Sequence, residues 1–409
     1  MIDIMKGVRI LEVAEHTFVP AASAILADWG AEVIKVEPSE RGDAMRGLAS
    51  SGVMKMGGDV HVLLEHSNRG KKSIGIDLRT QKGVDVVYKL ASTCDVFLTN
   101  KLPAVRKKLH IEIDDIRAHN PDIIYVAGTG GGERGPEADK GGYDFLSYWC
   151  RAASAMGCTP PDAEGLVGQP GPGYGDSIGG MTIAGGIMGA LFHRERTGEA
   201  ISVDVSLLGV GLWAMSPAIA LSLQMGFPWR PPKAGSGSLG PPGNPLVGTF
   251  RTSDDRFIAL SCLQGFKYWP GACRVIGRQD LIDDERFSSH ESLAANAGEA
   301  REIVTAVIAS APLAEWRERL ADFDGQWSVA QDSLEVVDDP QVVANGLLGE
   351  TATAAGIPFR LVTTPVQFGG EPAPPKRAPD FNEHCDEVLA SIDYDIESVV
   401  ELKVEGVVA

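Results

Sequence analysis

Residues 8–36 read VRILEVAEHTFVPAASAILADWGAEVIKV, and their pattern decides the fold class. A β-branched run at 8–13, an amphipathic stretch at 21–29 and a second β-branched run at 32–36 follow in the order strand, helix, strand. The alternation continues through 81–90, 95–98, 113–118 and 123–127, which predicts a parallel sheet covered by helices, an α/β first half. The small and apolar run MTIAGGIMGALF at 181–192 predicts a tightly packed helix, and 202–208 predicts the start of another long one.

At 226–245 the composition changes to GFPWRPPKAGSGSLGPPGNP, so dense in glycine and proline that it reads as a linker or mobile loop and marks a domain boundary. Beyond it, VGTFRTSDDRFIALSC predicts a hairpin turning at SDD, with helices at 267–276 and 299–320, a second and smaller domain. The tail returns to a short strand at 359–364 and a charged helix at 385–392, which can rejoin the first domain.

At 409 residues the chain is too long for one compact core and predicts two domains. A net charge of -18 excludes a general nucleic-acid or membrane-surface role, so an anionic ligand has to meet a local basic patch. The six cysteines show neither a CxxC pair nor a metal-like grouping; they read as reduced thiols, without disulfide scaffold or metal. The opening MIDIMKGVRILEVAEH lacks the uninterrupted apolar stretch of a signal peptide, so a cytoplasmic protein is expected. The apolar region 207–225 carries Ser216, Pro217, Ser222 and Gln224 and reads as a buried helix rather than a membrane span.

Two motifs compete for attention. Gly130, Gly132 and Gly135 satisfy GxGxxG after a predicted strand, but Pro136 and EADKGG follow where a dinucleotide site needs a helix. Gly175, Ser177 and Gly179 satisfy GxSxG, the elbow of serine hydrolases, with His193, His290 and His384 as nominal partners. The preceding GQPGPGY cannot be the strand that presents such a serine. The same stretch, GPGYGDSIGGM, holds Asp176 among glycines that let a bulky thioester approach. On local chemistry alone an aspartate before a helix is a cap.

Taken together, ordered blocks from GVRILEVAEHTFVPAASAILADWGAEVIKVEP through RGD, NRGKKSIGIDLRTQKG, TNKLPAVRKKL, PDIIYVAGTGGGERGP, GGYDF and HRERTGEAISVDVSL to RAPDFNEHCDEVL resemble the class III CoA-transferases and their α-methylacyl-CoA racemase relatives. The resemblance spans essentially the whole chain. It implies a large doubly wound, Rossmann-like α/β domain with a smaller α+β domain in an interlocked homodimer. The layout would be residues 1–205 for the large CoA-binding domain, 206–228 for a linker helix, 229–330 for the small domain, and 331–409 returning to complete the large one.

It further implies that Asp176 is the nucleophile, that CoA thioesters are substrates, and that no resident cofactor is needed. Arg41, Arg69, Lys71, Lys72, Asn100 and Lys108 would seat CoA, within a basic cluster that also holds Arg46, Arg106 and Lys107. His16 and Thr17, in the early active-site loop, and Tyr143 and Asp144 would also contact CoA. Where the family commonly has ENFRPG this chain has TNKLPA, so Lys101 and Leu102 replace an aromatic and an arginine. The racemase branch carries a His-Asp pair where this chain has Tyr143-Asp144, which favours transfer over racemisation. The glycine-rich 234–243 corresponds to a segment that closes over the aspartate in some relatives. The acyl group expected from the apolar stretches 148–157 and 212–225 is larger and less polar than oxalate.

Overall fold

The computed structural model describes residues 3–48, 58–233 and 244–409. The glycine-rich 234–243 therefore lies outside the described residues. The chain forms two compact units, one of residues 1–157, 167–228 and 340–409 and the other of 158–166 and 229–339.

In the first unit the order is β1 (Arg9–Val13), α1 (Phe18–Asp28), β2 (Glu32–Pro38), α2 (Val62–Asn68), β3 (Lys72–Ile76), α3 (Gln81–Ala91), β4 (Val96–Thr99), α4 (Pro103–Lys108), α5 (Ile113–Arg117) and β5 (Ile124–Thr129). Then come α6 (Ser154–Cys158), the long α7 (Tyr174–Thr197), β6 (Ser202–Ser206), α8 (Leu207–Ala214) and α9 (Ser216–Met225). The six strands pair in parallel in the order β3-β2-β1-β4-β5-β6, the order of a doubly wound sheet.

Strand side chains alternate between two apolar layers, which is why both faces must be covered. Ile10, Val33, Val96 and Ile124 pack with Val19, Ala22 and Leu26 of α1 and Ile183 and Ile187 of α7. Leu11, Ile34, Phe97 and Tyr125 pack on the other face with Val86 and Leu90 of α3 and with Val388, Leu389, Val399 and Leu402 from the C-terminal end of the chain. Helices α1 and α7 approach closely because Gly179 has no side chain: a Cβ there would lie 2.3 Å from the Phe18 ring.

Expectations for the stretch 202–225 change. The stretch 202–208 is not a helix start: Ser202–Ser206 is the edge strand β6, paired with β5 from Tyr125 to Thr129. The apolar 207–225 is two helices bent by 65°, because Pro217 sits in the first turn of α9 and can donate no backbone hydrogen bond. It is not buried within this chain either, since Trp213 is 81% exposed and Leu223 78%. No single helix among the described residues is long and apolar enough to cross a membrane.

The second unit holds the expected hairpin, β7 (Val247–Arg251) with β8 (Phe257–Ser261), extended by β9 (Trp327–Val329). Around it pack α10 (Gly265–Val275), α11 (His290–Ala295), α12 (Ala297–Ile308) and α13 (Leu313–Arg319), over Phe250, Trp269, Phe287 and Trp316. The predicted helix at 299–320 is broken at Pro312, which stands just before α13. The chain then returns to the first unit with α14 (Pro340–Ala344), the antiparallel pair β10 (Leu348–Ala352) and β11 (Pro358–Val362), α15 (Cys385–Ala390) and α16 (Ile396–Val404).

Candidate active site

In a doubly wound sheet the strand order reverses at one point, and the loops leaving the carboxyl ends of the two strands there splay apart to leave a crevice. Here that point lies between β1 and β4, whose ends carry Glu15-His16 and Asn100-Lys101. A cleft of about 390 Å³ opens at this place, lined by Glu15, His16, Asn100, Lys101, Tyr143 and Asp176 among others. The Asn100 amide fastens the two loops together, donating to the Glu15 carbonyl at 2.7 Å and accepting from the Glu15 N–H at 3.2 Å.

His16 has a left-handed backbone, φ 68°. For a residue with a Cβ this costs about 1–2 kcal/mol and has to be held. Asp43 holds it, accepting the His16 N–H at 3.0 Å while its other oxygen pairs with Lys35 at 2.8 Å. The His16 ring meets Tyr143 edge-on at 5.8 Å. Thr17 is buried, at the start of α1.

Asp176 enters the cleft from the first turn of α7. The helix is capped from outside: Gly173 offers no side chain, and the Gly175 N–H donates instead to Asp144 at 3.0 Å. Gly175 is required there, since a Cβ would lie 2.4 Å from Asp144 Oδ1. A helix N-terminus favours a carboxylate by at most about 1 kcal/mol at an ordinary site. Burial outweighs it: burial first, then the charge of Asp144, push the Asp176 carboxyl up to about 7. Asp144 is itself pushed up by burial. Asp176 is thus half ionised near neutrality and more basic, hence more nucleophilic, than an ordinary carboxylate.

A second cleft of about 250 Å³ lies at the ends of β1, β2 and β3, with Val13, Val36, Ile76 and Leu109 as apolar lining and Arg41, Arg79 and Lys101 as cations. Lys101 borders both clefts. Its ammonium pairs with Glu15, which also takes Arg41 at 2.7 Å. These cations outweigh the desolvation of Glu15 and hold its carboxyl down at about 2. Lys108 is exposed on the last turn of α4, next to the cleft-lining Leu109.

The basic cluster read from the sequence divides. Lys71 is a correction: its ammonium is buried and already bound to Glu12 at 2.7 Å, the Pro20 carbonyl at 2.9 Å and Asn68 at 3.2 Å, so all three protons are committed and none is left for a phosphate. Arg69 is likewise internal, paired with Asp28 at 2.8 Å. Lys72 bridges Glu32 and Glu387 away from the clefts, and Arg106 pairs with Glu112 and Glu133. Of the expected CoA residues the structure gathers His16, Arg41, Asn100 and Tyr143 at the clefts, with Lys108 beside them and Asp144 behind Asp176.

Sequence reasoning missed Glu15, which anchors Arg41 and Lys101, and His66, whose ring lies 3.1 Å from the Ser177 hydroxyl in place of any of the three nominal histidines. Glu15 carried a positional signal, since it lies two residues beyond the end of β1 at the reversal of strand order; His66 carried none. No group of histidines, cysteines and carboxylates suited to a metal occurs among the described residues.

A family model described as CoA-transferase family III matches residues 5–385. The chain is 30% identical to (R)-2-hydroxy-4-methylpentanoate CoA-transferase of Clostridioides difficile, over 99% of each chain. It is 29% identical to the succinate–glutarate CoA-transferase of Agrobacterium fabrum, over 95% of this chain and 96% of the other. Among solved structures, a CaiB/BaiF family protein from Brucella suis superposes with a TM-score of 0.79 at 26% identity, over 95% of this chain and 99% of that one. With the family model matching nearly the whole chain and the full length aligning with such enzymes, this chain belongs to CoA-transferase family III and carries CoA transfer as its activity.

Proposed function

We propose that the transfer runs through covalent intermediates on Asp176. The observation that carries this reading is a half-buried carboxylate, raised to about 7, at the head of α7 in the switch-point cleft. Its oxygen attacks the thioester carbonyl of the donor acyl-CoA, giving a mixed anhydride and CoA thiolate. The thiolate attacks the aspartyl carbonyl, forming an aspartyl-CoA thioester and releasing the donor acid. The acceptor carboxylate then attacks that thioester, giving a new anhydride and thiolate. Attack of the thiolate on the acceptor acyl carbon releases acceptor acyl-CoA and restores Asp176. One thioester replaces another, so the exchange is nearly balanced and draws on no resident cofactor; the protein supplies orientation and electrostatics.

The nucleotide end of CoA is assigned to the second cleft, with Arg41 and Lys101 for its phosphates and Lys108 at the rim, and the thioester to the first, with His16 and Tyr143 about the reacting carbon. Lys101, bordering both, supports a path from one to the other. A two-domain subunit in an interlocked homodimer is supported by the uncovered Phe192, Trp213 and Leu223, 67%, 81% and 78% exposed, which a second copy would bury. A cytoplasmic location fits substrates that are CoA thioesters.

The test is to incubate the protein with an acyl-CoA and, in turn, 2-hydroxy, straight-chain and dicarboxylic acids, following new acyl-CoA by chromatography. Transfer to at least one acid, lost in Asp176→Ala, is expected. Transfer that survives in Asp176→Ala would overturn the assignment.

A further inference from the structure

We propose that His66 is a positioning residue for the nucleophile: its ring holds the side chain of Ser177 and, through it, the turn of α7 that carries Asp176. This turn has little to hold it from within. Gly171, Gly173 and Gly175 precede Asp176, and the cap Gly173 has a left-handed backbone and no side chain. Two groups from elsewhere restrain it. One is Asp144, which takes the Gly175 N–H. The other is His66 of α2, whose Nε2 lies 3.1 Å from Ser177 Oγ.

We assign His66 the Nε2–H tautomer: the Ser177 hydroxyl lies 2.8 Å from the Gly173 carbonyl and donates to it, and Nε2 then donates to Ser177 Oγ. A relay therefore runs from His66 through Ser177 to the carbonyl of the cap residue. The ring is neutral, because burial and then the neighbouring Arg69 push its pKa down to about 4, and it brings no charge to the nucleophile.

The other end of the relay is fixed as well. Arg69 donates to the His66 carbonyl at 2.6 Å and to Asp28 at 2.8 Å, and is 3% exposed. The arginine of NRGKKS thus secures the backbone of His66 instead of reaching for a phosphate. Every step of the proposed cycle makes or breaks a bond to the Asp176 carboxyl group, and a misplacement of about 1 Å costs on the order of 100-fold in rate. A clamp on the adjacent residue acts on turnover more than on binding.

For its kinetic part the inference rests on Asp176 being the nucleophile, so the experiment has two arms. In the first, kcat and KM are measured for His66→Ala, His66→Gln, Ser177→Ala and the double alanine variant. We expect His66→Ala to lower kcat by roughly 10- to 100-fold with KM changed less than about threefold. Glutamine, which can offer a side-chain N–H, restores kcat to within about threefold, and the double variant is no slower than the slower single one. In the second arm, amide exchange of the peptide spanning 173–180 is followed by mass spectrometry, without substrate. Faster exchange in His66→Ala, with rates elsewhere unchanged, is expected.

Multiplying losses in the double variant, or a glutamine variant as slow as alanine, would overturn the proposal. If His66→Ala does not fold, Ser177→Ala removes the same bond from the helix side, and native kcat and exchange there would overturn it too. Should Asp176→Ala retain transfer, the nucleophile assignment fails, and the exchange arm alone decides the clamp.

Discussion

Replacing Asp176 by asparagine should abolish transfer and make the protein more stable at alkaline pH. In the folded chain the carboxyl titrates near 7 rather than 3.8, so between those values the native state holds a proton that the unfolded state has released. Stability contributed by this group therefore falls as pH rises from about 4 to about 7 and is flat above. At pH 8 the native enzyme bears the whole cost of a buried anion beside Asp144, roughly 4 kcal/mol, or about 2 kcal/mol if solvent in the cleft screens half of it. At pH 5 the cost is under half as large. Asparagine, nearly the same shape, bears none. Thermal unfolding of wild type and Asp176→Asn, measured from pH 5 to pH 8, should show the variant unfolding a few degrees higher at pH 8 and the gap closing toward pH 5. A gap that is independent of pH, or a variant less stable at pH 8, would refute the reasoning that burial and Asp144 raise this carboxyl.

Three other perturbations separate the parts of the site. Asp144→Asn keeps an oxygen for the Gly175 N–H but removes the charge beside Asp176, so the rising limb of kcat/KM against pH should move to lower pH. Lys71→Met leaves Glu12 with one of its two buried ammonium partners and should cost about 3–5 kcal/mol in unfolding free energy, while KM for acyl-CoA stays unchanged. Gly175→Ala forces the helix start away from Asp144 and Tyr148, and steady-state kinetics should show kcat down by about 100-fold in a protein that still folds.

The α/β alternation was legible because strands covered on both faces are written as continuous apolar runs, and β1, β2, β4 and β5 each lie within about two residues of the stretches that predicted them. Strand β6 was not, since Ser-Val-Asp-Val-Ser alternates polar residues at a sheet edge and runs straight into the apolar α8. Asp176 became more than a helix cap only through resemblance, because its environment is made by Asp144, distant in sequence. The basic residues show the limit of reading charge by position. Arg41 and Lys71 look alike in the sequence, yet one borders a cleft and the other is buried against Glu12, a partner 59 positions earlier in the chain. Burial and position are tertiary facts, and they decide which cation a phosphate can reach.

The most direct test of the account is to incubate the protein with an acyl-CoA alone, trap with hydroxylamine or borohydride, and map the modified peptide by mass spectrometry. Modification at Asp176, absent from Asp176→Ala, is the predicted result. Transfer activity with Asp176 left unmodified, or with the label on Ser177, would contradict it.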